Sequence, residues 1–371
     1  MPRKLRIAYL AHSLRSDWNN GNAHFLRGLL RAMRVQGHDA IAFEPAREWS
    51  VDNLRQEPAG EDSLRLFSNS YPDLPIHFYD STADDPKPFW RTALRECDVV
   101  ILHEWNPPSL AHLLLDLRAE LGFRLLFHDT HHRASSSPEQ IRLFGTDRFD
   151  GVIVFGEALR SIYRDRFGIN HAWTLHEAAD TTVFHPLVRE KNQDVVWIGN
   201  WGDEERSSEI REFLLRPAAV MPHRRFAIYG VRYPRHALTE LAHAGVRYGG
   251  YLPNLCAPQV YAESRLTAHV PRQQYSAAMD GIPTIRVFEA LACGIPLISA
   301  PWRDSEHLFR PGDFQFASDA AQMQQRIERL LTHPKEANEQ ALRGLETILA
   351  RHTCRHRAEE LTAICEGEVL A

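Results

Sequence analysis

No uninterrupted apolar stretch in the 371-residue chain approaches the ~18 residues that a membrane-spanning helix requires. The amino end, Met1-Pro2-Arg3-Lys4-Leu5-Arg6, is basic, but the apolar run behind it is broken by His12, too early for a signal-peptide core. A basic excess is also missing. The formal net charge is −5, so the chain lacks the cationic footprint that sequence-blind nucleic-acid binding demands, and no basic tail compensates. Cysteine is sparse: five residues, Cys97, Cys256, Cys293, Cys354 and Cys365, odd in number, widely spaced and set mostly in apolar segments. That pattern describes reduced core thiols rather than a disulfide framework. Together these absences point to a cytoplasmic protein without a nucleic-acid partner, compatible with peripheral contact at a membrane surface.

What is present is an ordinary globular composition, 44% hydrophobic and 25% charged, on a chain longer than one core usually fills, so two domains are expected. Ile7-Ala8-Tyr9-Leu10 is a short apolar strand followed by a polar loop. A helix then carries Leu26, Leu29, Leu30 and Met33 on one face and stops at Gly37, and Ala40-Ile41-Ala42-Phe43 is the next strand. Strand, helix, strand is a βαβ unit with a parallel crossover. Gly21 and Asn22 stand just before the helix, where free N–H groups and the helix dipole favour a phosphate; side-chain capping by Asn22 is the structural alternative. Residues 50–86 read as polar and irregular apart from a strand at Ile76–Tyr79. Val99–Leu102 and Phe123–Phe127 are all-apolar or nearly so, as strands covered on both faces are. They end in polar clusters, His103-Glu104-Trp105 and His128-Asp129-Thr130-His131-His132. Polar residues at the carboxyl ends of buried parallel strands lie where open α/β sheets bind ligands.

The run 189–194 reads as a linker, after which strand–helix alternation restarts, so the chain is expected to hold two doubly wound domains rather than one sheet. The most informative stretch of the second half is Gly281 to Ala300. Pro283 and Gly281 break the chain, Arg286 to Cys293 have helical spacing, Gly294 and Pro296 stop the helix, and Leu297-Ile298 form a strand. Arg286 and Glu289 on this helix suit a ligand-facing pair, and an i,i+3 surface ion pair fits the same spacing. The cluster His128/Asp129/His131/His132 could supply three metal ligands, but nothing else in the chain resembles a metalloenzyme.

Four patterns carry a family resemblance: Leu29 through Ala40 with its Gly37-His38 ending, Asp98 through Ser109, the phrase Asp180-Thr181-Thr182-Val183-Phe184-His185-Pro186, and Arg286 through Gly294. The chain resembles the GT-B glycosyltransferases, closest to the family 4-like retaining group and its spore-maturation CgeB-like branch. The resemblance implies an α/β, GT-B fold: two facing Rossmann-like doubly wound domains with an interdomain cleft. It implies an acceptor-binding domain at 1–187, a nucleotide-sugar-binding domain at 188–350 and a last helix, 351–371, packing back on the first domain, with a hinge near 186–194.

The implied function is a glycosyltransferase that moves a sugar from a nucleotide-diphosphate sugar to an unidentified acceptor, a glycan, small molecule or protein, with retention. No metal or other cofactor is expected, because helix N-termini and arginines stabilise the leaving diphosphate in this fold. A sugar-nucleotide epimerase of the same fold and a non-catalytic nucleotide-sugar-binding subunit are the alternatives. Glu289 matches the family glutamate that holds the ribose diol, with Thr284, Ile285 and Arg286 beside the diphosphate and sugar. Arg206 and Asn200 are further donor-site candidates, and Tyr251 and Leu252 border the base. His103 matches the family's active-site histidine; Glu104, His128 and Asp129 join it as catalytic candidates, with His131 and Trp105 for the acceptor. Departing from the pattern, the glutamate that family 4 enzymes carry eight residues before Glu289 is here Gly281, and no lysine accompanies Arg206.

Overall fold

The computed structural model describes residues 3–202 and 205–367. Among them thirteen strands form two wholly parallel sheets. The first comprises β1 (Arg6–Leu10), β2 (Asp39–Pro45), β3 (Ile76–Tyr79), β4 (Val99–His103), β5 (Arg124–Asp129), β6 (Gly151–Val154) and β7 (Ala172–Thr174), in the order β3-β2-β1-β4-β5-β6-β7. Its central strands are apolar because helices cover both faces. Val99, Val100, Ile101 and Leu102 are at most 2% exposed, each burial worth on the order of 2 kcal/mol. The chain runs outward through β1, β2 and β3, then returns to place β4 on the other side of β1. That reversal opens a crevice at the carboxyl ends of β1 and β4.

Leu26, Leu29, Leu30 and Met33 of the helix Ala23–Val35 are buried, and Gly37 leaves it with φ of 97°. The next residue explains the Gly-His ending. His38 accepts the Leu5 N–H at Nδ1, and its Nε2 lies 3.1 Å from Thr362 Oγ1 on the helix Cys354–Glu366. That last helix packs on Ala23–Val35, Arg124 donates to the Ile364 carbonyl, and Arg357 donates to the His176 carbonyl. The first compact unit therefore runs through Glu177 and resumes at Cys354.

The second unit, Ala178–Thr353, contains β8 (Gln193–Ile198), β9 (Phe226–Tyr229), β10 (Val246–Tyr248), β11 (Ser264–His269), β12 (Leu297–Ser299) and β13 (Gln315–Phe316), ordered β10-β9-β8-β11-β12-β13. Val195, Trp197, Ile228, Leu266 and Ile298 build its core with Met323 and Ile327 of the helix Ala320–Thr332. Here the reversal lies between β8 and β11, and the loops after them meet at that crevice.

The structure differs from the sequence expectation in three places. The boundary falls at Glu177 rather than 187, because the phrase 180–186 belongs to the second unit: Pro186 lies 3.3 Å from where a Cβ on Gly294 would stand. The unit ends at Thr353, three residues beyond 350, where Thr353 forms a parallel bridge with Ala179. The stretch 50–86 holds two helices, Trp49–Leu54 and Gly60–Ser70. The second buries little beyond Ser63 and Phe67, too few apolar positions to show a helical period.

Candidate functional site

At the first crevice, register places His103 of β4 beside His128 of β5, and both are buried. Tyr9 Oη lies 2.7 Å from His128 Nδ1. Thr130 Oγ1 lies 3.0 Å from His103 Nε2 and accepts from Asn22 Nδ2 at 2.5 Å. If each hydroxyl donates to its ring, the imidazole protons sit on His103 Nδ1 and His128 Nε2. Neither of those nitrogens has a partner among the described residues, nor do His12 Nδ1 and Glu104 Oε1. Burial lowers the basicity of these rings, to about 3 for His128 and about 4 for His12, where Arg133 adds to the effect. His103 is pushed well down by burial and by His128 and His12. All three are neutral near pH 7. Glu104, fully buried, is ion-paired to Arg133, which also donates to the Glu104 carbonyl and lies 4.4 Å over the Trp105 ring.

Asp129 accepts from Tyr163 Oη at 2.7 Å and from the His131 N–H at 2.9 Å. Burial raises its carboxyl to about 7 despite those two bonds. Asn22 occupies the N-cap position with helical φ, and its side chain makes no cap bond, reaching to Thr130 instead. Gly21 precedes it in the turn. His131 meets the edge of Trp105 at 5.1 Å. The crevice loop is held from behind by Glu44 of β2, which accepts the Leu14 and Arg15 N–H groups and the Arg15 guanidinium.

In the second unit the helix Ile285–Ala292 opens after Thr284. Glu289 on it is fully buried, paired with Arg286, and accepts Asn254 Nδ2 at 2.7 Å. The i,i+3 pair is thus present, with Arg286 partly in solvent and the Glu289 carboxylate fully buried, where it needs further hydrogen bonds to offset desolvation. Asn254 lies just past Tyr251 and Leu252, both half-buried behind Gly250, whose φ is 74°. Arg206, after β8, donates to Asn200 and packs 5.2 Å from the Trp197 ring centre. Burial and the neighbouring Arg272 pull it down to about 9, so it keeps its charge. Arg272 is ion-paired to Glu205.

His269, at the tip of β11, was not singled out by sequence. Its Nδ1 lies 2.8 Å from Ser299 Oγ and its Nε2 3.1 Å from Thr284 Oγ1. Burial, with Arg206 nearby, lowers it to about 3. Its signal was the one used for His103, a polar residue ending a buried strand. His12 and Arg133, polar residues just beyond β1 and β5, carried the same signal; Asn254 did not, and only the fold brings it to the site. Gly281 has φ of 88°, and a Cβ there would lie 2.7 Å from Glu306 Oε1 and from Ser305 Oγ. A glutamate at 281 would have to adopt a left-handed φ and push aside the Glu306 and Ser305 side chains.

The cluster at 128–132 is committed to hydrogen bonds, His128 to Tyr9, Asp129 to Tyr163, and His132 Nδ1 to Ser136 Oγ at 2.9 Å. Among the described residues no three His, Cys, Asp or Glu side chains are grouped to hold a metal ion. No helix among the described residues is long and apolar enough to cross a membrane.

Residues 206–363 match a family model described as glycosyl transferase-like. The two parallel-sheet units are those of a GT-B fold. HepE of Anabaena, in complex with UDP and glucose, superimposes with a TM-score of 0.71 over 98% of this chain and 99% of its own, at 12% identity. An alpha-glucosyltransferase in complex with UDP and a DNA 13-mer gives 0.68 over 98% and 100%, also at 12% identity. Sucrose-phosphate synthase from Thermosynechococcus elongatus gives 0.66 over 98% and 99%, at 14% identity. No curated protein matches the sequence significantly.

Proposed function

We propose that the protein transfers a sugar from a UDP-sugar to an acceptor, with retention at the anomeric carbon and without a metal ion. The observation that carries this reading is Glu289, a fully buried carboxylate held by Arg286 and Asn254, on the helix that follows the crevice strand of a glycosyl transferase-like domain. A carboxylate is acceptor-only and suits the two ribose hydroxyls. Arg206, Arg286 and the amino end of the helix Ile285–Ala292, with Thr284 and Ile285, supply the charge that a leaving diphosphate needs. Asn200 orients Arg206, and Tyr251 with Leu252 borders the base. In the first unit Gly21 and Asn22 open a second helix N-terminus that favours phosphate.

His103, Glu104, His128 and Asp129 face the acceptor in this reading, with His131 and Trp105. The retaining course is supported by how these groups are held. His128 at about 3 scarcely draws a proton at pH 7, and Glu104 is committed to Arg133. Asp129, raised to about 7 by burial, has the basicity of a general base, but both its oxygens are already engaged by Tyr163 and the His131 N–H. The acceptor hydroxyl therefore passes its proton to the departing phosphate oxygen as the new C–O bond forms and the sugar–phosphate bond breaks, on one face of the sugar.

A thermal-shift panel of UDP, GDP, dTDP and CDP, each with and without its sugar, tests this. UDP at saturating concentration is expected to raise the melting temperature by a few degrees, with EDTA making no difference, and Glu289→Ala is expected to abolish the shift. Absence of a shift with all four nucleotides, or an undiminished shift in the variant, overturns the donor assignment.

A further inference from the structure

Two tryptophans at the first crevice are partly in solvent, Trp49 at 44% and Trp105 at 38%. Both lie against His12. The His12 ring is stacked with Trp49 at 6.5 Å and 12°, and sits 6.0 Å from Trp105. It also stacks with His103 at 5.9 Å and 16°. His12 joins two open indoles to the buried polar floor of the crevice.

That floor has an unusual composition. His12 Nδ1, His103 Nδ1, His128 Nε2 and Glu104 Oε1 lack partners among the described residues, and each of these side chains is at least nine-tenths buried. Buried polar atoms are normally hydrogen-bonded, so a group of unpaired ones at a strand-tip crevice asks for a ligand that supplies both donors and acceptors. An anion is a poor fit, since the imidazoles are neutral and the Arg133 charge is met by Glu104. An alkyl chain is a poor fit as well, because it would cover those polar atoms without pairing them.

We infer that the acceptor is a glycan, bound with the C–H face of a pyranose ring on Trp49 or Trp105 and its hydroxyls on His12, His103, His128 and Glu104. A pyranose has that dual surface: axial C–H bonds on one face, positive toward the negative face of an indole, and hydroxyls around the rim that donate and accept. His12 belongs to this site by placing the aromatic platform next to the hydroxyl-binding groups. The inference rests on the transferase reading for calling the ligand an acceptor, and on the first unit alone for its chemistry.

The test uses the full chain without any nucleotide. Saturation-transfer NMR is run with methyl β-D-glucopyranoside, methyl β-D-galactopyranoside and methyl α-D-mannopyranoside, and in parallel with a serine-containing hexapeptide and 1-butanol. At least one glycoside is expected to take up saturation, strongest at its axial ring protons. Its Kd should rise about tenfold in Trp49→Ala or in Trp105→Ala, with partial recovery in the corresponding phenylalanine variant, while all four variants keep a cooperative melt and the wild-type response to UDP. Saturation of no glycoside, of only the peptide or butanol, or of glycosides equally in wild type and both alanine variants overturns the inference. A UDP shift without glycoside binding removes the glycan and leaves the donor reading intact; glycoside binding without any nucleotide shift does the reverse.

Discussion

The two doubly wound units place a histidine at the same point of their topology and surround it with opposite chemistry. His103 ends β4, between β1 and β5; His269 ends β11, between β8 and β12. Each has a hydroxyl partner on or just beyond the neighbouring strand, Thr130 in one unit and Ser299 in the other. Around His103 stand neutral rings and exposed indoles; near His269 stands Arg206, with Arg272 and Arg286 close enough to influence it. One architecture thus builds a crevice suited to hydroxyls and a crevice suited to phosphates. The difference comes from residues at the strand tips and in the loops and helix starts that follow them, as expected where rigid sheets carry variable function.

The sharpest way to break that comparison is to exchange the effects. Arg206→Gln is expected to weaken UDP binding about 10- to 100-fold, the worth of a charge-assisted contact, whereas His128→Gln leaves UDP affinity within about twofold; titration calorimetry reads both. Equal losses in the two variants would mean that the units do not divide the work.

A smaller effect is expected at Gly281. Gly281→Glu forces a left-handed φ of 88° on a side chain and drives its Cβ into Glu306 and Ser305, costing on the order of 1–3 kcal/mol, read as a lower melting temperature. A variant as stable as the parent would show that the family glutamate can be restored here.

The smallest effect is on pH. Free imidazole titrates near ~6.5, but His12 holds out to about 4 and His128 and His269 to about 3. Below pH ~6.5 the unfolded chain therefore binds more protons than the folded one, so this stability is complete above that pH and is lost as the pH falls through the folded values. Asp129 and Glu48, both raised to about 7 by burial, work the other way between pH ~4 and 7, two carboxyls against three imidazoles. Melting temperature should drop from pH 7 to pH 5, and His128→Gln and His269→Asn should each flatten the profile. A profile unchanged in either variant would assign the drop to other groups.

Much of this was legible because parallel strands buried on both faces must be continuous apolar runs. Val99–Leu102 and Leu125–Phe127 declared themselves, and the polar residues after a run marked the crevice. The helix Gly60–Ser70 was not legible, since it buries too few side chains to impose a period. The unit boundary was misplaced for a related reason. The polar run 189–194 looks like a linker, yet Gln193 already begins β8, and the actual crossing at Glu177 carries no compositional break.

The amino-acid sequence by itself determined the strand–helix alternation, the two doubly wound units and the helix bearing Arg286 and Glu289, because those follow from local periodicity and chain breakers. Only the tertiary structure decided that Glu289 is buried and braced by Asn254, that Gly281 takes a left-handed φ, and that His12 joins two open tryptophans to unpaired polar groups. Those are matters of burial and of neighbours distant in sequence, which local pattern does not encode.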